Sequence, residues 1–353
     1  MENFKKNRYK DLKPYDAEEF QGYINLGANE SFLNFPEELK DELIKIIKNF
    51  SFNRYPSSHC SELRIAFSEY ISISKDRILA GNGSDELIFL VMETFLEKGD
   101  KILTLDPDFV MYSQYANVLG VNNIKFESEN DFTLDEKEFF LAIEREKPKM
   151  VILSNPNNPT GAIVSKNVLI DLVKNYNLIV VIDEAYGEFY KDSMIPYINE
   201  FHNLIVLKTT SKAIGLAALR IGFLLANEDV ITEIKKIKAP YNINAMSQEI
   251  GTLVLKHKEL LKKSTDEILK EKNYLLSELK KLDKYLKINI SHTNFFLIDF
   301  ENAKEVYEYL LNNKIITRDF NGGRLLNSLR INVGSREENE RLISCFKSYF
   351  KVK

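Results

Sequence analysis

Short apolar runs alternate with amphipathic stretches over the first two thirds of the chain. The runs 150–153 and 178–182 contain no polar residue, which is typical of strands buried on both faces of a sheet. Between such runs, apolar residues recur every three or four positions, which indicates helices that pack on one side. The predicted strands are 101–105, 123–126, 150–153, 178–182 and 203–207, and the predicted helices are 36–50, 61–70, 85–95, 108–119, 134–146, 166–176 and 228–238. This alternation predicts an α/β domain with a largely parallel sheet flanked by helices.

The pattern changes near residue 240. A long charged amphipathic stretch, 247–282, leads to a part in which 294–299 and 328–333 have the pattern of strands. We therefore expect an N-terminal arm over 1–30, a large domain over 31–240 and a smaller α+β domain over 241–353.

Composition narrows the class of protein. The chain has 353 residues, 44% of them hydrophobic and 28% charged, with a net charge of −4, which is ordinary for a soluble globular protein of two domains. Mild acidity and the lack of a long apolar run give no reason to expect a nucleic-acid or membrane partner. The polar start lacks the apolar core of a signal peptide, and Cys60 and Cys345 form no CxxC pair, so we expect a cytoplasmic protein. The four histidines are scattered, so no catalytic metal is expected.

The turn after the strand 203–207 contains the most informative candidate chemistry. A single lysine, Lys212, follows a hydroxyl-rich turn, and Arg220 comes eight positions later. A lysine held in such a turn can form a Schiff base, because a neighbouring cation can lower its pKa. Thr209, Ser211 and Arg220 could together bind a phosphate, and a lysine beside a phosphate site suggests pyridoxal phosphate. The alternative is an ordinary exposed lysine in a strand-to-helix turn.

Other polar residues also follow predicted strands. Asn158, Asp183 and Lys212 each come just after a strand, and ligands of parallel sheets bind beyond these carboxyl ends. The glycine-rich turn 81–86, with Ser84 and Asp85, opens a helix whose first N–H groups could bind an anion. The alternative for that turn is an ordinary helix cap.

Asp183 follows five apolar residues, so its carboxylate needs a partner. A protonated pyridine nitrogen would satisfy it, and the alternative is that it caps the next turn. Tyr186 and Asn158 could reach the phenolic oxygen of the same ring.

Two arginines stand in or beside apolar segments of the small domain. Arg330 lies inside a predicted strand, and Arg318 follows an apolar pair and a threonine. A buried arginine needs an anion, so the pair suggests a doubly anionic group on the substrate, with structural ion pairs as the alternative.

Taken together, these motifs resemble the fold-type I pyridoxal phosphate (PLP)-dependent aminotransferases, and more narrowly the histidinol-phosphate aminotransferase family. The broader resemblance rests on 158–161 (NPTG), 183–186 (DEAY) and Ser211-Lys212 with Arg220. The narrower one rests on the segments 26–30 (LGANE), 54–56 (RYP), 81–86 (GNGSDE), 239–242 (APYN) and 329–334 (LRINVG), and it ends with 337–339. It implies an aspartate aminotransferase-like fold and a homodimer with a shared active site.

The resemblance also implies roles for individual residues. Lys212 would be the Schiff-base lysine and proton carrier, Asp183 would pair with the pyridine nitrogen, and Phe109 would cover the ring. Asn158 and Tyr186 would contact the ring oxygen. The phosphate would be held by Ser84, Asp85, Thr209, Ser211 and Arg220, with Tyr55 reaching it from the other subunit. Arg330 would bind the donor's carboxylate and, with Arg318, the acceptor's phosphate, while Tyr15 would close over the substrate.

The implied reaction transfers an amino group between L-glutamate and a small phosphorylated carbonyl compound such as imidazole acetol phosphate. Gly27, in the substrate region, stands where a polar side chain is usual, and Phe109 replaces a more usual tyrosine. Alternatives therefore stay open: another phosphorylated ketone such as dihydroxyacetone phosphate, or decarboxylation of a phosphorylated amino acid. A non-enzymatic regulator is disfavoured, because no basic helix-turn-helix precedes the motifs.

Overall fold

The structure is a computed structural model that describes residues 21–320 and 322–351. Its strands are β1 (Ile24–Asn25), β2 (Ile78–Asn82), β3 (Lys101–Asp106), β4 (Asn122–Glu127), β5 (Met150–Ser154), β6 (Ile179–Asp183), β7 (Leu204–Thr209), β8 (Ile221–Ala226), β9 (Leu286–Ile288), β10 (Phe295–Phe300), β11 (Ile315–Ile316) and β12 (Ser328–Asn332). Its helices are α1 (Lys40–Lys48), α2 (Ser61–Ile71), α3 (Gly83–Phe95), α4 (Val110–Leu119), α5 (Glu136–Glu146), α6 (Lys166–Asn175), α7 (Glu228–Lys235), α8 (Ala245–Leu255), α9 (Lys258–Leu279), α10 (Ala303–Asn312) and α11 (Arg336–Phe350).

The largest sheet has seven strands in the order β2-β8-β7-β6-β5-β3-β4. Strand β8 runs antiparallel to both of its neighbours, and the other pairs in the sheet are parallel. The prediction of an α/β fold with a mainly parallel sheet flanked by helices is confirmed.

Helices cover both faces of this sheet, and the alternation of side chains along each strand divides the core into two layers. In β6, Val180 and Ile182 belong to one buried cluster, whereas Val181 belongs to the cluster on the opposite face. Asp183 is two residues beyond Val181, so its side chain emerges on the same face as Val181. A carboxylate is thereby placed on that face at the carboxyl end of the sheet.

Two predicted helices differ from the structure. The stretch 36–50 begins with a 3-10 turn, Glu37–Leu39, and only then forms α1. The stretch 247–282 contains two α-helices, because the chain leaves the helical conformation at His257. Helix α8 packs into a core layer of the large sheet, whereas the second half of α9 packs into the core of the small sheet, so one straight helix cannot serve both.

The C-terminal part contains a three-stranded antiparallel sheet in the order β12-β10-β9. Strand β1, from the N-terminal end of the described chain, pairs in parallel with β11 instead of joining the large sheet. Asn332 of β12 also donates its backbone N–H to the carbonyl oxygen of Leu26. These bonds hold residues 27–29 next to the small sheet. The domain boundaries at 30 and 240 stay a prediction.

Candidate active site

A cavity lies at the carboxyl ends of β5, β6 and β7, between the large sheet and the segment 27–29. It is lined by Gly27, Ala28, Asn29, Ser84, Asp85, Phe109, Ser154, Asn158, Asp183, Ala185, Tyr186, Thr209, Ser211, Lys212, Arg220 and Arg330. The cavity brings together the predicted site residues except Tyr55, Arg318 and Tyr15. Tyr15 lies outside the described residues.

Asp183 forms one wall of the cavity and is almost fully buried. The hydroxyl of Tyr112 donates to its Oδ2 at 2.9 Å, and the backbone N–H of Ala185 donates to its Oδ1 at 3.1 Å. Burial raises the pKa of Asp183 to about 6, although both hydrogen bonds favour the ionised form. A buried carboxylate of this kind is stabilised by a cationic partner, such as a protonated ring nitrogen.

Lys212 lies opposite, in the turn that follows β7. Its Nζ donates to the carbonyl oxygen of Ala28 at 3.1 Å. Burial, together with the positive charge of Arg330, lowers the pKa of Lys212 to about 8. A lysine with such a pKa supplies far more neutral, nucleophilic amine near neutral pH than an exposed lysine does.

An anion site lies beside Lys212, where β7, β8 and α3 meet. The Oγ1 of Thr209 donates to the Oγ of Ser211 at 3.0 Å, and the Nη1 of Arg220 reaches the same Oγ at 3.5 Å. The Nη2 of Arg220 is 3.3 Å from Asp85, which therefore orients the guanidinium. Ser84 is in the first turn of α3, where backbone N–H groups lack helical partners. Hydroxyls, a guanidinium and a helix N-terminus together suit a phosphate.

The two arginines of the small sheet have different surroundings. Arg330 reaches the cavity, where its Nη1 donates to Oδ1 of Asn158 and its Nη2 donates to the carbonyl oxygen of Gly27, both at 2.6 Å. Arg318 is bridged to Arg330 through two backbone hydrogen bonds of 3.0 and 2.9 Å, but it does not line the cavity. The backbone bridge places the two residues side by side at the edge of the site.

Tyr55 lies on the surface of this chain and not in its cavity. Its side chain is 82% exposed and stacks on Tyr241, with ring centroids 4.8 Å apart. Phe109 does line the cavity, and its ring meets that of Tyr112 edge-on at 5.6 Å.

Three polar contributors to the site are not predicted by the sequence pattern. Asn29 donates from its Nδ2 to the hydroxyl of Tyr186 at 2.8 Å. Tyr112 holds Asp183, and the Oγ of Ser154 accepts the backbone N–H of Asn158 at 3.0 Å. Asn29 belongs to the motif 26–30, but the family resemblance implied no individual role for it. Tyr112 has the pattern of a core aromatic residue in a helix.

Neither a metal site nor a membrane span emerges from residues 21–320 and 322–351. In that part of the chain, histidine, cysteine and acidic side chains form no group able to hold a metal ion. No helix there is long and apolar enough to cross a membrane.

The cavity fits PLP as a group. It offers a buried acid for the ring nitrogen, a lysine with a lowered pKa for the aldehyde and an anion site for the phosphate. The fold and this site define a PLP-dependent aminotransferase of fold type I.

Comparison with known proteins gives the same class of enzyme and also indicates the family within that class. The family model described as Aminotransferase class I and II matches residues 21–346. The chain is 47% identical to the histidinol-phosphate aminotransferase of Clostridium novyi (strain NT), over 98% of this chain and 97% of that one. The chain belongs to the histidinol-phosphate aminotransferase family.

Two solved structures have the same fold. The histidinol-phosphate aminotransferase from Clostridium acetobutylicum aligns with a TM-score of 0.84 at 25% identity, over 93% of this chain and 99% of that one. The enzyme of the same name from Sinorhizobium meliloti, in complex with pyridoxal-5'-phosphate, aligns with a TM-score of 0.86 at 22% identity, over 93% and 91%.

Proposed function

We propose that this enzyme transfers an amino group between L-glutamate and imidazole acetol phosphate, forming histidinol phosphate and 2-oxoglutarate. The observation that carries the proposal is that Lys212, Asp183 and Arg330 line one cavity of a chain 47% identical to a histidinol-phosphate aminotransferase. We further propose that it acts in the cytoplasm, which agrees with the free, buried Cys60 and Cys345.

The chemistry divides between the bound group and the chain. Bound PLP supplies an electron sink for the negative charge that develops at the substrate Cα. Asp183 keeps the ring nitrogen protonated, because its buried carboxylate is stabilised by a cation there. Lys212 would hold the cofactor through Nζ and would move the proton between the substrate Cα and the cofactor C4′. Phe109, which lines the cavity, would cover the ring and limit the access of water.

The remaining side chains would bind the phosphate and the ring oxygen of the cofactor. Thr209, Ser211 and Arg220 bind the phosphate together with the first turn of α3, which carries Ser84 and Asp85. Tyr186 would donate to the ring oxygen. Asn158 can do the same through its Nδ2, because its Oδ1 already accepts from Arg330.

Substrate binding is assigned to the edge of the small sheet. Arg330 offers a planar guanidinium that can bind a carboxylate through two hydrogen bonds. Arg318, bridged to it through the backbone, adds a second positive charge for the phosphate of the acceptor. Gly27 lies at the same edge, where an added Cβ would come within 3.1 Å of the backbone of Thr317. Tyr15 of the N-terminal arm is proposed to close over the substrate.

We also propose a homodimer in which each subunit completes the other's site. Tyr55 and Tyr241 form an exposed aromatic pair, 82% and 44% exposed, and Phe52 nearby in the sequence is 77% exposed. Clustered aromatic side chains on a surface favour a protein partner. In the dimer, Tyr55 reaches the cofactor phosphate bound by the other subunit.

The substrate proposal is tested by two half-reactions. The PLP-loaded protein is mixed with glutamate, and conversion to pyridoxamine phosphate is followed by absorbance. Imidazole acetol phosphate and dihydroxyacetone phosphate are then offered separately, and recovery of the original spectrum is expected with the first. Recovery with dihydroxyacetone phosphate alone, or release of carbon dioxide without an amino acceptor, would refute the proposed substrate. Lys212→Ala should abolish turnover, whereas Arg318→Ala should mainly raise KM for the phosphorylated substrate.

The shared site is tested by mixing two inactive variants. Lys212→Ala and Tyr55→Ala are co-expressed with different tags, and the mixed dimer is isolated. If Tyr55 acts on the other subunit, one of the two sites in this dimer contains both native residues and activity returns. If Tyr55 acts within its own subunit, neither site is complete and the mixed dimer is no more active than the Tyr55→Ala parent.

A further inference from the structure

Three consecutive residues of the segment 27–29 each contact a different side chain of the site. The carbonyl oxygen of Gly27 accepts from Arg330, the carbonyl oxygen of Ala28 accepts from Lys212, and the side chain of Asn29 donates to Tyr186. The first two contacts come from the backbone, so many residue types could make them. The third depends on the asparagine side chain itself.

Asn29 is held rigidly. Its side chain is 1% exposed, and its backbone has a φ of 54°, in the left-handed region that asparagine tolerates better than most residues. The Nδ2 of Asn294, in the loop before β10, donates to the carbonyl oxygen of Asn29 at 3.2 Å. The amide therefore has a fixed direction relative to Tyr186, whose ring is in turn held edge-on by Phe295 at 5.2 Å.

The direction of the hydrogen bond decides what the tyrosine can do. The Nδ2 of an asparagine can only donate, so the hydroxyl oxygen of Tyr186 is the acceptor and its own hydrogen points away from Asn29. The Oδ1 of Asn29 is buried and has no hydrogen-bond partner among the described residues. In the reverse orientation of the amide, two N–H groups would be buried at that position instead. Buried N–H groups without a partner are rarer than such carbonyls, which favours the observed orientation.

We propose that Asn29 is a positioning residue for Tyr186: its amide occupies the acceptor side of the hydroxyl and directs the hydroxyl hydrogen to the ring oxygen of PLP. This inference rests on the role proposed above for Tyr186. Donation to the ring oxygen withdraws negative charge from it, so the nearby nitrogen of Lys212, once joined to the cofactor, holds its proton less tightly. Asn29 thereby helps to keep the pKa of that nitrogen low.

The test measures this pKa from the absorbance of the PLP-loaded enzyme as a function of pH, without substrate. Asn29→Gly is the main variant, because glycine adopts a positive φ without strain while removing the amide. The pKa is expected to rise by about 0.5–1 unit, as for the loss of one hydrogen bond. In a Tyr186→Phe background, the same substitution should produce no further rise.

Two controls separate positioning from general damage. Asn203→Ala removes an asparagine that donates to the carbonyl oxygens of Val173, Tyr176 and Leu178, at the other end of the sheet. It should lower the Tm without shifting the pKa. If Asn29→Gly fails to fold or to bind PLP, Asn29→Asp takes its place, since the carboxylate can only accept and turns the tyrosine hydrogen away from the ring.

The outcomes are distinct. A rise in pKa in the native background that is absent, or clearly smaller, with Tyr186→Phe supports the proposal. No shift, or an equal shift in both backgrounds, overturns it. Because no substrate is present, failure of imidazole acetol phosphate as acceptor would refute the proposed reaction and leave this measurement unaffected.

Discussion

Gly222, in β8, is the point at which the large sheet touches the first turn of α3. A Cβ added there would lie 2.5 Å from both the backbone carbon of Gly83 and the backbone nitrogen of Ser84, and 2.8 Å from the oxygen of Gly83. Ordinary contact begins at 3.4 Å, so Gly222→Ala requires the two segments to separate by about 0.9 Å. Because all three atoms belong to the main chain, no change of rotamer can relieve the clash.

The displaced turn is the one proposed to bind the cofactor phosphate. Overpacking a well-packed contact costs about 1–3 kcal/mol of folding stability. A shift of about 1 Å also breaks the hydrogen-bond geometry on which anion binding by the helix N-terminus depends. We therefore expect Gly222→Ala to raise the Kd of PLP about 10–100-fold, measured by titrating the apoenzyme with PLP and following the absorbance, with the Tm taken by calorimetry.

The matched control is Gly251→Ala, in α8. A Cβ at Gly251 would lie 2.5 Å from Cδ1 of Ile221 and 3.0 Å from Cδ1 of Leu63, which are the ends of flexible side chains. These ends can move, and alanine favours the helix, so the affinity for PLP should stay within about twofold of the native value. Native affinity in Gly222→Ala, or an equal loss in Gly251→Ala, would refute this reasoning.

Three further variants test the charges and caps around the site. Lys208 neutralises buried acids, because its Nζ lies 2.8 Å from Glu188 and 4.0 Å from Glu184. Lys208→Met should therefore lower the free energy of unfolding in urea by about 3–5 kcal/mol at pH 7, and by less at lower pH, where the acids can be protonated. A loss of stability that does not depend on pH would contradict this. Burial raises the pKa of Asp108 from 3.8 to about 8, so between these pH values the folded apoenzyme retains a proton that the unfolded chain releases. The free energy of unfolding of the apoenzyme should therefore fall as the pH rises from 3.8 to about 8. Asp108→Asn should flatten this dependence in urea midpoints, and an unchanged slope would contradict the assignment. Ser335→Ala removes the N-cap of α11 and should cost about 1 kcal/mol in thermal unfolding without changing turnover, and a loss of turnover would show a role beyond capping.

Much of the site could be predicted from the sequence, because its residues follow strands that are recognisable as apolar runs. Asp183 ends β6 and Lys212 lies in the turn after β7, so both are at the same edge of the sheet, where parallel strands bring such positions together whatever the details of packing. The proximity of these two positions therefore follows from the fold class alone. Their individual roles follow from the family resemblance and stay proposals.

The missed contacts join parts of the chain that no local pattern relates. Tyr112 reaches Asp183 across 71 positions because α4 packs on the face of the sheet from which Asp183 emerges. Asn29 reaches Tyr186 across 157 positions because β1 pairs with β11 in the C-terminal part of the chain. Both residues have sequence surroundings that fit other roles equally well. The break at His257 likewise depends on which core each helix enters, which periodicity does not reveal.

The contacts of the segment 27–29 connect substrate binding to the chemistry of the lysine. Arg330 donates to Gly27, and Lys212 donates to Ala28, so the segment accepts hydrogen bonds from two of the three basic residues that line the cavity. In the proposed reaction, a carboxylate bound by Arg330 would compete for the N–H groups that now face Gly27 and Asn158, and Lys212 would leave Ala28 to join the cofactor. The contact of Asn29 with Tyr186 involves neither Lys212 nor Arg330, so these exchanges would leave it intact. The segment would therefore combine two backbone contacts that the proposed reaction breaks with one side-chain contact that it retains.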